Sequence, residues 1–147
     1  MKVKIVSIEP LWLQIARNEM GVKETPGKIH NKRILEYHQA TTLKASADEI
    51  AWCAAFVCWC LEMSGQKSTR SAAARSYIKY GKAVKDFPVG AIVVLQRGEA
   101  IWQGHVGFIV GSDKDSILVL GGNQGQEVCL KRFPKSRVLG VRWPISA

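Results

Sequence analysis

The stretch from Asp48 to Leu61 constrains the fold most, because it is the most apolar segment of the chain and holds three of its four cysteines. Apolar residues occur on every side of the helix that this stretch would form. A helix that is apolar all round is buried, so the remaining elements must pack around it. We predict that Ser46 or Asp48 caps the helix, with Glu49 completing a capping box after Ser46, and that Gly65 ends it.

The three cysteines of this helix are predicted to differ in chemistry. Cys53 lies in the first turn, where unpaired N–H groups and the helix dipole favour a thiolate, the nucleophilic form of cysteine. Cys58 and Cys60 would point about 200° apart, and Cys53 and Cys60 would lie roughly 10 Å apart along the axis. These separations disfavour a disulfide or a metal pair. We therefore interpret Cys58 and Cys60 as reduced core thiols, and Cys129 as a surface thiol.

Helices precede strands along the chain. Periodicity and turn residues predict three further helices, at about 10–20, 32–40 and 71–80, and strands near 91–95, 105–110, 117–120, 127–130 and 138–143. The pair Gly121-Gly122 is expected to break the third strand. This order indicates an α+β fold, in which N-terminal helices pack on a C-terminal antiparallel sheet of about five strands. We expect one catalytic domain, residues 1–147, with a core at about 11–144.

The net charge of +9, from 21 basic and 12 acidic residues, favours a polyanionic partner. The basic residues are spread along the chain without a nucleic-acid-binding signature, so nucleic acid is not expected. No apolar run reaches the roughly 18 residues of a membrane span. The apolar part of the basic N-terminus is too short for a secretory signal, so we expect synthesis in the cytoplasm.

A nucleophilic Cys53 would need a base and a group that orients the base. His30 lies in a predicted loop, and His38 falls on the apolar side of a helix, where a core histidine is the plainer interpretation. His105 opens a predicted strand, which would hold its ring rigidly and leave it accessible. Asn123, in the glycine-rich segment after the next strand, could accept the ring N–H of His105, with Gln124 as the substitute candidate. A simple turn is the alternative for this segment.

The order of cysteine, histidine and polar amide is that of papain-like cysteine peptidases. Residues 52–57 (WCAAFV), 104–108 (GHVGF) and 121–124 (GGNQ) resemble motifs of compact peptidoglycan hydrolases of the NlpC and CHAP type. Three further segments resemble a subgroup of small CHAP-like proteins found in phage lysins and secreted bacterial effectors: residues 19–24, 71–76 and 139–144.

The resemblance implies a papain-like NlpC/CHAP fold and a role for each matching residue. Cys53 would attack an amide carbonyl, His105 would pair with the thiolate and protonate the leaving amine, and Asn123 would orient His105. The backbone N–H of Cys53 would supply half of an oxyanion hole. Substrate-binding or oxyanion positions would include Trp52, Gln124 and Gly104, although Trp52 could equally be core. No metal or other cofactor is implied.

The implied function is hydrolysis of an amide bond in the peptide stem of peptidoglycan, either the D-glutamyl–diaminopimelate bond or the muramoyl–L-alanine bond. Such a monomeric enzyme would act on the cell wall, in the periplasm of a host or target cell. It would serve as a phage lysin or as an antibacterial type VI effector with a cognate immunity protein. The alternatives are a non-catalytic thiol- or metal-binding domain, and an acyltransferase that uses the same Cys-His pair.

Overall fold

We describe the protein from a computed structural model, which covers residues 9–26, 30–45, 51–99 and 103–145. The helices are α1 (Leu11–Asn18), α2 (Lys32–Gln39) and α3 (Cys53–Met63), and two 3₁₀ helices span Ala74–Lys79 and Lys135–Arg137. The strands are β1 (Lys82–Ala83), β2 (Ile92–Gln96), β3 (Gly104–Ser112), β4 (Ser116–Gln124), β5 (Glu127–Pro134) and β6 (Val138–Trp143).

The predicted α+β architecture is confirmed. All pairings in the sheet are antiparallel, in the order β1-β6-β2-β3-β4-β5, so the sheet has six strands instead of about five. The additional strand, β1, is only two residues long and carries no hydrophobic alternation that would predict it. Within the described ranges, no helix has the length and apolar character needed to cross a membrane.

The local signals for α2 and α3 are confirmed in part. Asn31 caps α2 by accepting hydrogen bonds from the N–H groups of Arg33 and Ile34. Gly65 follows the end of α3 in a left-handed conformation with φ of 87°. The proposed capping residues of α3 at 46–49 lie outside the described residues. The predicted helix at 71–80 is instead a 3₁₀ helix over Ala74–Lys79.

Helix α3 is central to the packing, as its composition requires. Its buried residues, eight of eleven, form a core with α1, α2 and one face of the sheet. The Phe56 ring lies 5.1 Å from the Tyr37 ring of α2 and 6.4 Å from the Phe108 ring of β3. A second, smaller core covers the opposite face of the sheet and includes Ile109 and Phe133. The first core holds α3 against β3 and β4.

The expected break of the third strand at Gly121-Gly122 is wrong, because β4 continues to Gln124. The register with β5 shifts between Gly121, which lies opposite Cys129, and Gln124, which lies opposite Glu127. Two residues of β4 therefore lie opposite a single residue of β5, which is a β-bulge. One extra residue reverses the alternation of side chains between the two faces of the sheet, so the strand after the bulge presents its other set of side chains.

Candidate active site

The Cys53 thiol lies at the junction of α3 and the sheet. Cys53 is the first residue of α3, and the first hydrogen bond within the helix runs from Phe56 N to Trp52 O at 2.9 Å. The N–H groups of residues 53–55 therefore have no acceptor within the helix. The thiol is only 5% exposed, and the backbone N–H of Val106, the residue after His105, lies close enough to lower its pKa.

The geometry of β3 explains why Val106 reaches α3. Ile109 N donates to Ala91 O on the β2 side, so the N–H of Val106, an odd number of residues away, points to the β4 side. In residues 103–145, the pairing of β3 with β4 begins only at Phe108 and Leu120. The Val106 N–H is thus available to the Cys53 sulfur.

The prediction that the helix N-terminus lowers the pKa of Cys53 and favours its thiolate is wrong, because the pKa is raised. Burial raises the pKa of the Cys53 thiol, and the backbone N–H groups of Val106 and Ala54, together with the Arg97 charge, lower it by less. The helix N-terminus acts as predicted, but desolvation of the thiolate outweighs it. Cys53 is consequently a neutral thiol in the unliganded protein at neutral pH.

The His105 ring is held through one of its two nitrogens. His105 lies opposite Leu95 in the sheet, and its Nε2 is 2.9 Å from Gln124 Oε1. The amide nitrogen of Gln124 donates to Cys129 O at 2.7 Å and to Val119 O at 3.3 Å. Two carbonyl acceptors fix the orientation of the amide, so its oxygen faces the ring and accepts from Nε2–H. The Nδ1 atom then carries the lone pair that can accept a proton.

The His105 imidazole is also neutral at pH 7. Burial lowers the pKa of His105 to about 4, although the hydrogen bond that the ring donates to Gln124 raises it. The positive charges of Arg97, Lys131 and Arg137 lower it further. Arg97 affects both Cys53 and His105, which places it within electrostatic reach of the two groups.

The structure does not give Asn123 the predicted contact with His105. Asn123 adopts a left-handed conformation with φ of 59° and lies beside His105 in a pocket wall. The side chain that bonds the ring is that of Gln124, the substitute candidate. A Cβ placed on Gly121 would be 2.6 Å from Gln124 Oε1 and 3.3 Å from His105 Nε2, so these groups share one face of the sheet. The bulge causes the exchange, because without it Asn123 would face the same way as Gly121.

The other predicted positions differ in their surroundings. Trp52 is fully buried, donates from Nε1 to Glu24 Oε2 at 2.9 Å and stacks on Tyr37, so its core alternative is the one observed. Gly104 is half-buried at the start of β3, where a Cβ would be 3.1 Å from the Arg75 side chain. His38 is buried in α2, as expected of a core histidine.

The other thiols are not placed like Cys53. All four cysteines are free, and Cys58 and Cys60 are buried, which confirms them as core residues. Cys58 also has a polar neighbour, since its sulfur is 3.0 Å from the Tyr77 hydroxyl. Cys129 is half-buried and donates to Gln124 O at 3.2 Å. In the part of the chain that the structure describes, no three His, Cys, Asp or Glu side chains are grouped as a metal site would require.

Comparison with known families shows the family to which the chain belongs. The family model described as CHAP domain matches residues 45–123, more than half of the chain. The chain belongs to the CHAP domain family. CHAP domains are typically cysteine- and histidine-dependent amidases or peptidases of peptidoglycan. The match includes Cys53 and His105 and ends one residue before Gln124. A search of curated proteins found no match.

The reasoning from sequence missed the cationic surroundings of this CHAP-domain site. Arg97, Lys131 and Arg137 line a pocket with His105 and Phe133. Arg97 lies in the connection between β2 and β3, Lys131 in β5 and Arg137 in the second 3₁₀ helix. Because they are separated along the chain, the sequence shows no cluster of basic residues that would predict the pocket. The available signal was the alternation along β5, which places Lys131 and Phe133 on the same face of that strand.

Proposed function

We propose that this CHAP domain hydrolyses an amide bond in the peptide stem of peptidoglycan, with Cys53 as nucleophile, His105 as base and acid, and Gln124 as the group that orients His105. One observation supports this most directly: the Cys53 thiol lies near the N–H of Val106, the residue next to His105, while Gln124 holds Nε2 of the ring and leaves Nδ1 for a proton. These are the three groups that a cysteine nucleophile, its base and an orienting residue would supply.

In the proposed reaction, Nδ1 of His105 takes the thiol proton as the Cys53 sulfur attacks the amide carbonyl carbon. The imidazolium then gives this proton to the leaving amine, and a thioester remains on Cys53. Water, deprotonated by the neutral imidazole, hydrolyses the thioester and regenerates the thiol. The N–H groups of the first turn of α3, which have no acceptor within the helix, would stabilise the oxyanion of each tetrahedral intermediate, that of Cys53 foremost.

The bond that we propose is either the D-glutamyl–diaminopimelate bond or the muramoyl–L-alanine bond. Both are amides of anionic wall polymers, which suit a protein of net charge +9. The biological role that we propose is wall lysis, by a phage lysin or by a type VI effector that a cognate immunity protein neutralises.

Digestion of purified sacculi tests this function. We expect the protein to release soluble muropeptides, and Cys53→Ala and His105→Ala each to reduce the rate by roughly 10³-fold or more, because both groups act in the same bond-breaking step. Mass spectrometry of the released fragments identifies the new termini and hence the bond. It also separates hydrolysis from acyl transfer, which would leave a new amide in place of a free carboxylate.

The matched control is Cys58→Ser, which removes a second thiol of α3 and leaves a hydroxyl near the Tyr77 hydroxyl. This variant should keep activity within a few-fold of the wild type. Full activity of Cys53→Ala would exclude the proposed mechanism.

A further inference from the structure

A pocket of about 120 Å³ is lined by His105 together with Asn123, Gln124 and three cationic side chains. The cations are Arg97, Lys131 and Arg137, and we call this site the basic pocket. Its volume equals about four water molecules at about 30 Å³ each. The basic pocket therefore has room for a small charged group with some water.

Of the residues that the structure describes, none with a carboxylate lines the basic pocket. Among the described residues, the arginines that form ion pairs are elsewhere: Arg17, Arg33, Arg70 and Arg132. Arg97, Lys131 and Arg137 form no ion pair with another described residue, yet all three act on one buried imidazole. Grouping like charges without a counterion costs free energy, and an anion in the pocket would recover it.

The fold holds two of these cations in place. Lys131 Nζ lies 5.4 Å and the Arg137 guanidinium 5.6 Å from the centre of the Phe133 ring, whose other neighbour is His105 at 5.5 Å. Arg137 also donates from Nε to Gln96 O at 2.9 Å. This bond leaves the terminal nitrogens of Arg137 to bind a ligand. The basic pocket is thus partly preorganised around an aromatic side chain.

We propose that the basic pocket is a substrate subsite that binds a free carboxylate of the peptide stem, on a residue next to the amide that is cleaved. A carboxylate is small enough for the pocket, and its two oxygens can accept paired hydrogen bonds from an arginine guanidinium. Because Arg97 of this pocket acts on both Cys53 and His105, a carboxylate bound there would lie within reach of the reacting groups. The inference rests on the proposed function, because it assigns the chemistry of the substrate at the same site.

The bound carboxylate would also prepare His105 for proton transfer. Three cations hold the imidazole in its neutral form, and a negative charge among them reverses part of that effect. Transfer of the Cys53 proton to His105 then becomes more favourable when substrate is present. Loss of the carboxylate should therefore reduce kcat as well as weaken binding.

The test compares synthetic muramoyl peptides that carry either a free carboxylate or a carboxamide at the same stem position. We expect the wild type to cleave the carboxylate form faster by roughly tenfold or more. Lys131→Gln and Arg97→Gln should each remove most of this preference. Lys114→Gln removes the same charge from the exposed β3–β4 turn, at the far end of β3 from His105, and should keep the preference. Equal thermal midpoints would exclude a folding defect.

A binding measurement keeps this test separate from the test of the mechanism. Calorimetry with Cys53→Ala measures the affinity for the two uncleaved peptides, and Lys131→Gln in that background should abolish the difference between them. If the protein proves inactive, this measurement still decides the subsite. The inference is overturned if the two peptides bind and react equally, or if Lys131→Gln and Arg97→Gln keep the preference.

A wall phosphate is the other source of an anion. Sacculi from which phosphodiester-linked polymers have been removed with hydrofluoric acid distinguish the two sources. We expect Cys53→Ala to bind these sacculi as well as untreated ones. Loss of binding after this treatment, with no preference between the two peptides, would assign the pocket to phosphate and overturn the carboxylate proposal.

Discussion

At the scale of single residues, Gln124 determines the state of His105 more than any other side chain. Its oxygen accepts from Nε2–H, and its nitrogen is anchored by Cys129 O and Val119 O. The bond to Nε2–H selects the ring tautomer, and the two bonds to carbonyl oxygens prevent the amide group from rotating by 180°. In the proposed mechanism, Gln124 would therefore be a positioning residue, whose effect on the reaction passes through His105.

Replacement of Gln124 tests this assignment. Gln124→Ala should slow muropeptide release by roughly 10²-fold, because the ring loses its fixed orientation and tautomer. The same change should lower the pKa of His105 below its value of about 4, since the hydrogen bond that the ring donates to Gln124 raises that pKa. NMR titration of the ring measures this shift directly.

Asn123→Ala is the matched control, because it removes the neighbouring amide and should leave both activity and the His105 titration nearly unchanged. The opposite result, with Asn123→Ala inactive and Gln124→Ala active, would restore Asn123 as the orienting residue.

At the scale of elements, the site depends on how closely α3 approaches β4. A Cβ on Gly122 would lie 2.7 Å from the Trp52 ring and 2.8 Å from Phe56 Cβ, both in or beside the first turn of α3. Such distances leave no room for a side chain. Gly122 thus allows the N-terminus of α3, and with it Cys53, to lie against the strand that carries Gln124.

Gly122→Ala should accordingly destabilise the protein by about 1–3 kcal/mol, because the added methyl group must push α3 away from β4. Urea unfolding measures this loss. Gly111→Ala provides the control: its nearest neighbour would be Leu118 Cβ at 4.0 Å, an ordinary contact. Equal unfolding midpoints for the two variants would contradict the close approach of α3 to β4.

At the scale of the whole molecule, helices and sheet each contribute one half of the site. Cys53 comes from the helical half, and His105 and Gln124 come from the sheet. Burial at this junction keeps both thiol and imidazole uncharged in the unliganded protein. The same burial couples the site to global stability, since an unfolded chain can protonate His105 and the folded chain resists it.

The coupling predicts a loss of stability in acid. The pKa of His105 is lowered in the folded protein, so the free energy of unfolding should fall as the pH drops from about 6.5 to about 4. The contribution of this one residue is at most about 3 kcal/mol. Above about pH 6.5 both folded and unfolded chains hold a neutral imidazole, and the contribution becomes constant.

Urea unfolding at pH 7.5 and at pH 4.5 checks this prediction. His105→Gln cannot titrate and should lose less stability between the two pH values than the wild type, while the carboxylates titrate alike in both proteins. A pH dependence identical in both proteins would show that His105 does not carry the effect.

The sequence by itself determined the fold class and the two central groups of the candidate site. Apolar residues all round 53–61 require a buried helix, and His105 opens a strand because an apolar run follows it. These signals are local, and each belongs to the element that carries it. Only the tertiary structure decided between Asn123 and Gln124, because the choice depends on a bulge that forms against β5.

The ionisation of the site and the basic pocket were also decided by tertiary structure. The helix N-terminus of Cys53 is visible in the sequence, but the desolvation that outweighs it exists only once α3 is packed against β3. Arg97, Lys131 and Arg137 are separated along the chain and meet only when their elements pack around Phe133. Burial and long-range proximity arise from the folded chain, so local sequence patterns do not contain them.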